Sequence, residues 1–307
     1  MLQEIFLSLY MAVGVYLSAI VCGGPFIAIV NEFRGWMWKT QFKDKFAQQI
    51  ARMSIMGFWG FVFILAASFL SMFLIQGINL DKLLVNFAPG HYFPLLSLLG
   101  GMVFLCIYYL TWKRLKRRKL PHWLLGLVSV FALWLGVLGC INLIIRLLLI
   151  NKLHFFADCT WTCLLLDGDN SWPILGQFIL ISLGGSGAMA TNYLLMRRQK
   201  DDFGRDYYRS SMYLSAKWAF VFPVQLFFLI GFSYAINPSY QFLLHSSRLV
   251  PLLSSLLFIF LPGFLWVLLL RSENPLRNKV SLLLALLCTY LALGSMFLYY
   301  FRVLNSV

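Results

Sequence analysis

Charged side chains are scarce in this sequence, and acidic ones are the scarcest. Only 12% of the 307 residues are charged, and 11 residues in all are Asp or Glu, whereas 61% are hydrophobic. The mean hydropathy is +0.79. This composition excludes an ordinary soluble domain and is typical of a multi-span membrane protein. No polar segment between the apolar runs is long enough to fold as a separate domain, so the bilayer is the expected solvent of the chain.

Long apolar runs predict eight transmembrane helices. About 20 apolar residues cross the hydrocarbon core as a helix, and such runs fall at 5–31, 54–77, 93–112, 122–150, 173–196, 213–236, 250–270 and 280–301. The first run follows MLQE, with no Lys or Arg before Arg34, and is too long for the core of a signal peptide, so we expect it to stay in the mature protein. The predicted fold class is an all-α polytopic membrane protein.

Basic residues alternate between the predicted loops. They concentrate in loops one, three, five and seven, as in KRLKRRK at 113–119, while the intervening loops hold only Lys82, Lys152 and Arg248. This is the positive-inside pattern, so the net charge of +14 requires no nucleic-acid partner. It predicts a multi-pass protein of the inner (cytoplasmic) membrane with both termini outward. The charged stretch YLLMRRQKDDFGRDYYRS at 193–210 is then a cytoplasmic turn.

An internal repeat relates the two halves of the chain. A shift of 161 places Gly23 and Gly24 of VCGGPF on Gly184 and Gly185, and PLLS at 94–97 recurs at 251–254 with a shift of 157. Four predicted spans separate the copies, so the repeat is parallel. The predicted architecture is two four-helix bundles, residues 1–151 and 173–307, joined by an outward loop at 152–172. We expect the paired glycines to let helices approach closely in lipid.

Three stretches resemble the large subunit of cytochrome bd quinol oxidases. GAMATNYLLMRRQKDDFGRDYYRS is similar to the end of that subunit's fifth helix and the turn after it. FIAIVNEFRG, followed by the amphipathic QFKDKFAQQIARMSIMGFWG, is similar to the end of its first helix, where an acid also closes the span, here Glu32. WKRLKRRKLPHWLLGLVSVFALWLG is similar to its third cytoplasmic loop and fourth helix, including a histidine at the helix start, here His122. The patches lie within the first 215 residues, and the small subunit of the same oxidases has a related two-bundle plan.

The resemblance implies an integral membrane subunit of a respiratory oxidoreductase complex. The sequence also departs from the family pattern at positions that the oxygen-reducing subunit uses. Met11 stands at the position that matches the first-helix haem-ligand histidine, and no histidine lies near Trp172 and Pro173, where the fifth-helix ligand would fall. The segment LLSLLGGMVFL has no acid where the family's third helix has paired glutamates, and the long quinol loop after the sixth helix is missing.

These departures favour a companion subunit, or one that binds quinol or a haem b, over the oxygen-reducing subunit. The implied partners are a homologous or other respiratory membrane subunit and an outward-facing cytochrome. The alternative is a transporter, or a quinone-binding membrane subunit of the polysulfide-reductase type. Such a protein would need a polar cavity at helices broken by Gly or Pro, for which GGP at 23–25 and LPG at 261–263 are the candidates.

The side chains that could hold a cofactor map mostly to the outward side. Haem needs an axial His, Met or similar ligand, and an imidazole could equally donate to a quinone carbonyl, while an arginine could fix a quinone head group or a haem propionate. The candidate cofactor-binding residues are His154, His91, Met11, Arg146 and His245. The competing interpretation is that the histidines are interfacial residues and that Arg146 and Lys217 snorkel to an interface. We expect a structural role for His122.

The spacing of the cysteines gives little information about function. Cys159 and Cys163 of CTWTC share one predicted outward loop, which leaves open whether they form a disulfide. The sequence has no CxxCH, so attachment of a c-type haem is not expected, and no metal site is predicted.

Overall fold

The structure, a computed structural model, describes residues 2–76, 92–115, 118–149, 171–201, 203–227, 246–273 and 275–304. Within these ranges the chain is all-helical and contains no β-strand. The α-helices, numbered in chain order, are α1 Leu2–Met37, α2 Gln41–Gln76, α3 Tyr92–Leu110, α4 Lys119–Leu149, α5 Ser171–Arg197, α6 Arg205–Ala219, α7 Ser246–Arg271 and α8 Lys279–Leu304. Short 3-10 helices lie at Phe222–Val224 and Pro275–Arg277.

Seven of these helices are long and apolar enough to cross a membrane, namely all except α6. The surfaces of these seven helices that face away from the rest of the protein carry large apolar side chains that are mostly exposed, among them Phe63, Leu96, Leu110, Phe131 and Val280. An apolar surface of this extent would favour aggregation in water but is the expected surface of a helix bundle in lipid. The chain is therefore a multi-pass helical membrane protein, as the composition predicts.

The sixth predicted span, 213–236, is described only in part. Helix α6 begins earlier, at Arg205, and ends at Ala219, and it is followed by the 3-10 helix Phe222–Val224. Pro223 lacks a backbone N–H and so favours this break. Residues 228–245, which would complete the span, lie outside the described ranges.

Helix α2 begins well before its predicted start at residue 54. The predicted apolar runs leave residues 32–53 as a loop between the first two spans, but this loop is short and α2 begins at Gln41. Its first turns bury Phe46, Ala47, Ile50 and Ala51 on one face, which is the spacing of an amphipathic helix. Charged residues interrupt the apolar residues of these turns, and they hide the helix from a search for uninterrupted apolar runs.

Helices α1 and α5 lie at the centre of the molecule. Helix α1 packs against α2, α4, α5 and α8, and α5 packs against α1, α2, α6 and α8. The remaining neighbours are α2 with α3, α2 with α6, α3 with α4, α6 with α7, and α7 with α8. Of the seven candidate spans, α5 has the most deeply buried apolar segment.

The paired glycines lie where helices approach most closely, as predicted. A Cβ atom on Gly23 would overlap the backbone carbonyl oxygen of Ser182 in α5, and one on Gly24 would overlap the hydroxyl of Ser54 in α2. On α5, Gly184 lies against Phe222 and Gly185 against α1. These contacts confirm the packing role of the glycines. Helices α1 and α7 continue through the prolines of GGP and LPG without a break.

Candidate functional site

A fully buried carboxylate lies near the end of α1. Glu32 has no exposed surface, although it belongs to a helix that is long and apolar enough to span a membrane. Ionisable side chains in such helices are costly and are kept where partners compensate them. The partners of Glu32 come from the end of α3 and the start of α4.

Three donors surround the two oxygens of this carboxylate. The Tyr108 hydroxyl donates to Oε2 at 2.7 Å, and the Lys119 ammonium donates to Oε1 at 2.8 Å. His122 Nδ1 lies 2.9 and 3.0 Å from the two oxygens. Lys119 and His122 reach the same carboxylate because residues three apart share one face of α4. Full burial is tolerated here because the carboxylate has several charge-assisted hydrogen bonds.

Both ring nitrogens of His122 have partners in the protein. Nε2 lies 2.9 Å from the Tyr108 carbonyl oxygen, which can only accept a hydrogen bond, while Nδ1 faces the carboxylate of Glu32. The ring therefore connects α4 both to α3 and to α1.

Aromatic rings enclose the imidazole. The His122 ring stacks on Tyr108 with centroids 4.3 Å apart, and Trp112 meets it edge-on at 4.9 Å. Because all three side chains are buried, this packing excludes water from one side of the ion pair. Low local polarity strengthens the hydrogen bonds made here and raises the cost of losing any one of them.

Asp44 extends the cluster to α2. The Lys119 ammonium lies 3.0 Å from Asp44 Oδ1, so it bridges two carboxylates, one fully buried and one half-buried. The cluster therefore links α1, α2, α3 and α4 by hydrogen bonds to its two carboxylates.

A second polar contact lies at the same ends of the helices, between α2 and the turn after α5. Arg197 donates two hydrogen bonds to Asp201, each of 2.7 Å, and the Tyr208 hydroxyl donates to the Asp201 carbonyl oxygen. Gln49 of α2 lies 3.5 Å from Asp201 Oδ2 and accepts from the Tyr193 hydroxyl at 3.3 Å. The turn is thus fixed both internally and against α2.

Apolar contacts support the same junction. The ring of Phe42 meets Tyr207 edge-on at 6.1 Å, and the Lys45 ammonium lies 5.1 Å from the centre of the Phe203 ring. Burial raises the pKa of the Tyr207 phenol, so this ring stays neutral and acts as a packing group.

Of the five predicted cofactor-binding residues, Met11 is the one whose side chain the structure describes. His91, His154 and His245 lie outside the described residues, as do Cys159 and Cys163. Arg146 belongs to α4, but its side chain is outside the described part. Met11 is half-buried on α1, 21 residues from Glu32, which is about 30 Å along a helix. Lys217 is exposed on α6, in keeping with a snorkelling side chain.

The described residues do not form a haem site. Of the four histidines, only His122 falls within the described ranges, and both of its nitrogens have protein partners, so it does not fit an axial ligand. Within the same ranges, no group of three or more His, Cys, Asp or Glu side chains could hold a metal ion.

Sequence reasoning missed the cluster, although it named two of its members. Glu32 was noted only as the acid that closes the first span, and His122 as a structural residue at a helix start. The available signal was the combination of an acid inside an apolar run with a Lys and a His three residues apart at the start of another run.

The chain was compared with protein-family models, curated proteins and solved structures. None of the three comparisons found a match.

Proposed function

We propose that this chain is an integral membrane subunit of a respiratory oxidoreductase complex of the cytochrome bd type. In this proposal it is a companion subunit that packs against a homologous subunit, and the homologue carries the redox centres. Its partners are the bilayer, that homologue and an outward-facing electron-transfer protein.

One observation carries the proposal, namely that the three stretches resembling the oxidase family meet at one end of the molecule. Glu32, from the first stretch, forms an ion pair with His122, from another, 90 residues later. Gln49, which follows Glu32 in α2, contacts Asp201 of the third stretch. The positive-inside topology already places these turns at one end of the molecule, and the specific contacts between them are what descent from one fold would add.

The neighbours of each helix support a two-bundle plan. Helices α1 to α4 close a ring of contacts, α1 with α2, α2 with α3, α3 with α4, and α4 with α1. Helices α5 to α8 close a corresponding ring, and α1 and α5 join the two. We interpret these rings as the two halves of the parallel repeat, in the inner membrane with the basic turns on the cytoplasmic side and both termini outward.

The chemistry of the described residues favours the companion role. Helix α3 contains no Asp or Glu, so it offers no acid where the family's oxygen chemistry uses glutamates. The buried cluster of α1 to α4 supplies hydrogen-bond donors to both of its carboxylates, which is typical of a structural polar network. In this proposal, residues that contact quinol would lie on the outward side. The predicted topology places His154, His91, His245 and Arg146 on that side.

The transporter alternative needs helices that break near the membrane midplane. Helix α1 runs through GGP and α7 through LPG as continuous helices. The break at Phe222–Val224 after α6 is a described feature that a transporter would share, whereas the two breaks that the sequence predicts for this alternative, at GGP and LPG, do not occur.

We expect the affinity-tagged chain, extracted from its native membrane in a mild detergent, to co-purify with a second membrane subunit. The complex should give a b-type reduced-minus-oxidised spectrum, and the chain expressed alone should give none. A b-type spectrum of the isolated chain that disappears in His154→Ala or His91→Ala would instead make this subunit an electron carrier. Purification from the native membrane without any haem-bearing subunit would overturn the proposal.

The proposed orientation has its own test. We expect a cysteine at Lys200 (Lys200→Cys), in the exposed turn after α5, to react with a membrane-impermeant maleimide only after the inner face is opened. The background is a chain with its native cysteines replaced by serine. Labelling of intact spheroplasts would show that the basic turns face outward and would contradict the topology.

A further inference from the structure

A basic cavity lies where α1 ends and α2 begins. It has a volume of about 340 Å³, and its lining includes Trp36, Lys39, Thr40, Lys45 and Lys119. Asp44 also lines it, so the cavity adjoins the buried cluster but opens to the outside.

The cavity has an excess of positive charge. The carboxylate of Asp44 is matched by Lys119 at 3.0 Å. Lys39 and Lys45 have no carboxylate partner among the described residues, and both are exposed. Lys45 has only the face of Phe203 as a described neighbour for its ammonium group. In the described part of the chain, two lysine charges beside this cavity are thus without a counter-charge.

The backbone at Lys39 adds an independent observation. Its φ is 51°, the one positive value at a residue other than glycine in the described chain. The amide of Thr40 donates to the carbonyl of Gly35 at 2.9 Å. This hydrogen bond is typical of a helix end at which the residue before the donor, here Lys39, has the left-handed conformation. Glycine is the usual residue at this position because it adopts positive φ without steric cost. A lysine at this position has a steric cost that glycine would avoid, and we infer that its side chain has a function.

The cavity lies at the level expected for lipid head groups. Both α1 and α2 are candidate spans, and the cavity is at the junction between them. Trp36 and Trp38, beside it, have relative exposures of 54% and 57%. Exposed tryptophans at the ends of spans are typical of the membrane interface, where the ring lies among the head groups.

We propose that this cavity binds the phosphate of an anionic phospholipid. The chemistry that it would recognise is a phosphate diester, paired with the ammonium groups of Lys39 and Lys45, while the acyl chains lie along the apolar outer surfaces of α1 and α2. The phosphate of a phospholipid, held at the membrane surface by its chains, suits this position better than a free phosphate ion. The proposal depends on the membrane location of the chain and is independent of its role in a respiratory complex.

The test counts lipids retained by the full-length chain in native mass spectrometry. Dioleoylphosphatidylglycerol is compared with dioleoylphosphatidylcholine, since the two have the same chains and differ in head-group charge. The double variant Lys39→Gly, Lys45→Gln is expected to retain phosphatidylglycerol about 30-fold more weakly, from roughly a fivefold contribution per lysine at a membrane surface. Glycine suits the backbone at position 39, so its melting temperature should not fall.

A charge-matched control separates a site from a generally basic surface. Lys113→Gln with Lys200→Gln removes two exposed lysines from other turns at the same end of the bundle and should leave the retained lipid in place. Equal losses in both double variants, or equal retention of phosphatidylcholine by the wild type, would overturn the proposal. Displacement of phosphatidylglycerol by millimolar inorganic phosphate would identify free phosphate as the ligand and would also overturn it. If the double variant does not fold, Lys45→Gln alone should still weaken retention several-fold, and an unchanged value would count against the site.

Discussion

Replacing Glu32 with glutamine is expected to lower the free energy of unfolding by about 3–5 kcal/mol, the range typical of breaking a buried ion pair. Glutamine keeps the shape of the side chain, so packing is preserved. The charge that Lys119 and His122 face at 2.8 and 2.9 Å is lost, and the amide NH2 points a donor at groups that are themselves donors. The Lys119 ammonium is then left with Asp44 as its remaining counter-charge.

The measurement is the reversible unfolding of the purified chain in mixed micelles, with Glu4→Gln as the matched variant. Glu4 pairs with Arg302 at 2.6 Å, but the two side chains are 37% and 30% exposed, and exposed pairs contribute at most about 1 kcal/mol. Both substitutions remove one carboxylate charge from α1, at opposite ends of the helix. A Glu32→Gln effect no larger than that of Glu4→Gln would show that the cluster does not hold the helices together.

A second substitution separates hydrogen bonding from packing within the cluster. His122→Phe retains a ring between Tyr108 and Trp112, which lie 4.3 and 4.9 Å from the imidazole, but removes both nitrogens. We expect a loss of about 2 kcal/mol in the same unfolding assay, the usual contribution of hydrogen bonds to a charged group. Retention of wild-type stability would mean that ring packing alone accounts for the role of His122.

Hydropathy and charge predicted the spans because the bilayer imposes a length on them. The predicted runs 93–112, 173–196 and 280–301 agree within a few residues with α3, α5 and α8, since an apolar stretch has to match the hydrocarbon thickness whatever its neighbours are. The start of α2 could not be found in this way. Gln41 to Arg52 is helical because Phe46 and Ile50 are buried against the rest of the protein, and that partner surface is not visible in a local window.

The candidate site depends on tertiary packing even more than the start of α2 does, so it is harder to predict from the sequence. Glu32 and His122 are 90 residues apart in sequence, and nothing local to either residue specifies the other. The outward histidines were favoured because aromatic neighbours and a shared membrane face are visible in sequence, whereas burial and hydrogen-bond partners are not. The sequence around His122 indicates only a histidine at a helix start, whereas in the structure both of its ring nitrogens have partners. The prediction of a structural role for it agrees with this geometry, and the prediction for His91, His154 and His245 stays open.

Substituting Gly23 with alanine is expected to destabilise the contact between α1 and α5 by about 2–3 kcal/mol, the upper part of the range for overpacking. The added methyl group would overlap the carbonyl oxygen of Ser182 and come within 2.7 Å of the Ser186 hydroxyl. A backbone carbonyl cannot turn aside as a side chain can, so the two helices have to separate. Separation would also break the hydrogen bond that Ser186 donates to the Ala19 carbonyl at 2.9 Å.

Two further glycine variants make this result specific. Gly100→Ala adds the same methyl group to α3, where nothing lies within 4 Å, and is expected to leave stability unchanged or slightly raised because alanine is the better helix former. Gly24→Ala meets the hydroxyl of Ser54, so Ser54→Ala should relieve much of its cost, whereas Ser182→Ala should not rescue Gly23→Ala because the obstructing atom belongs to the main chain. Rescue of Gly23→Ala by Ser182→Ala, or equal effects at Gly23 and Gly100, would contradict the close α1–α5 approach on which the joining of the two halves depends.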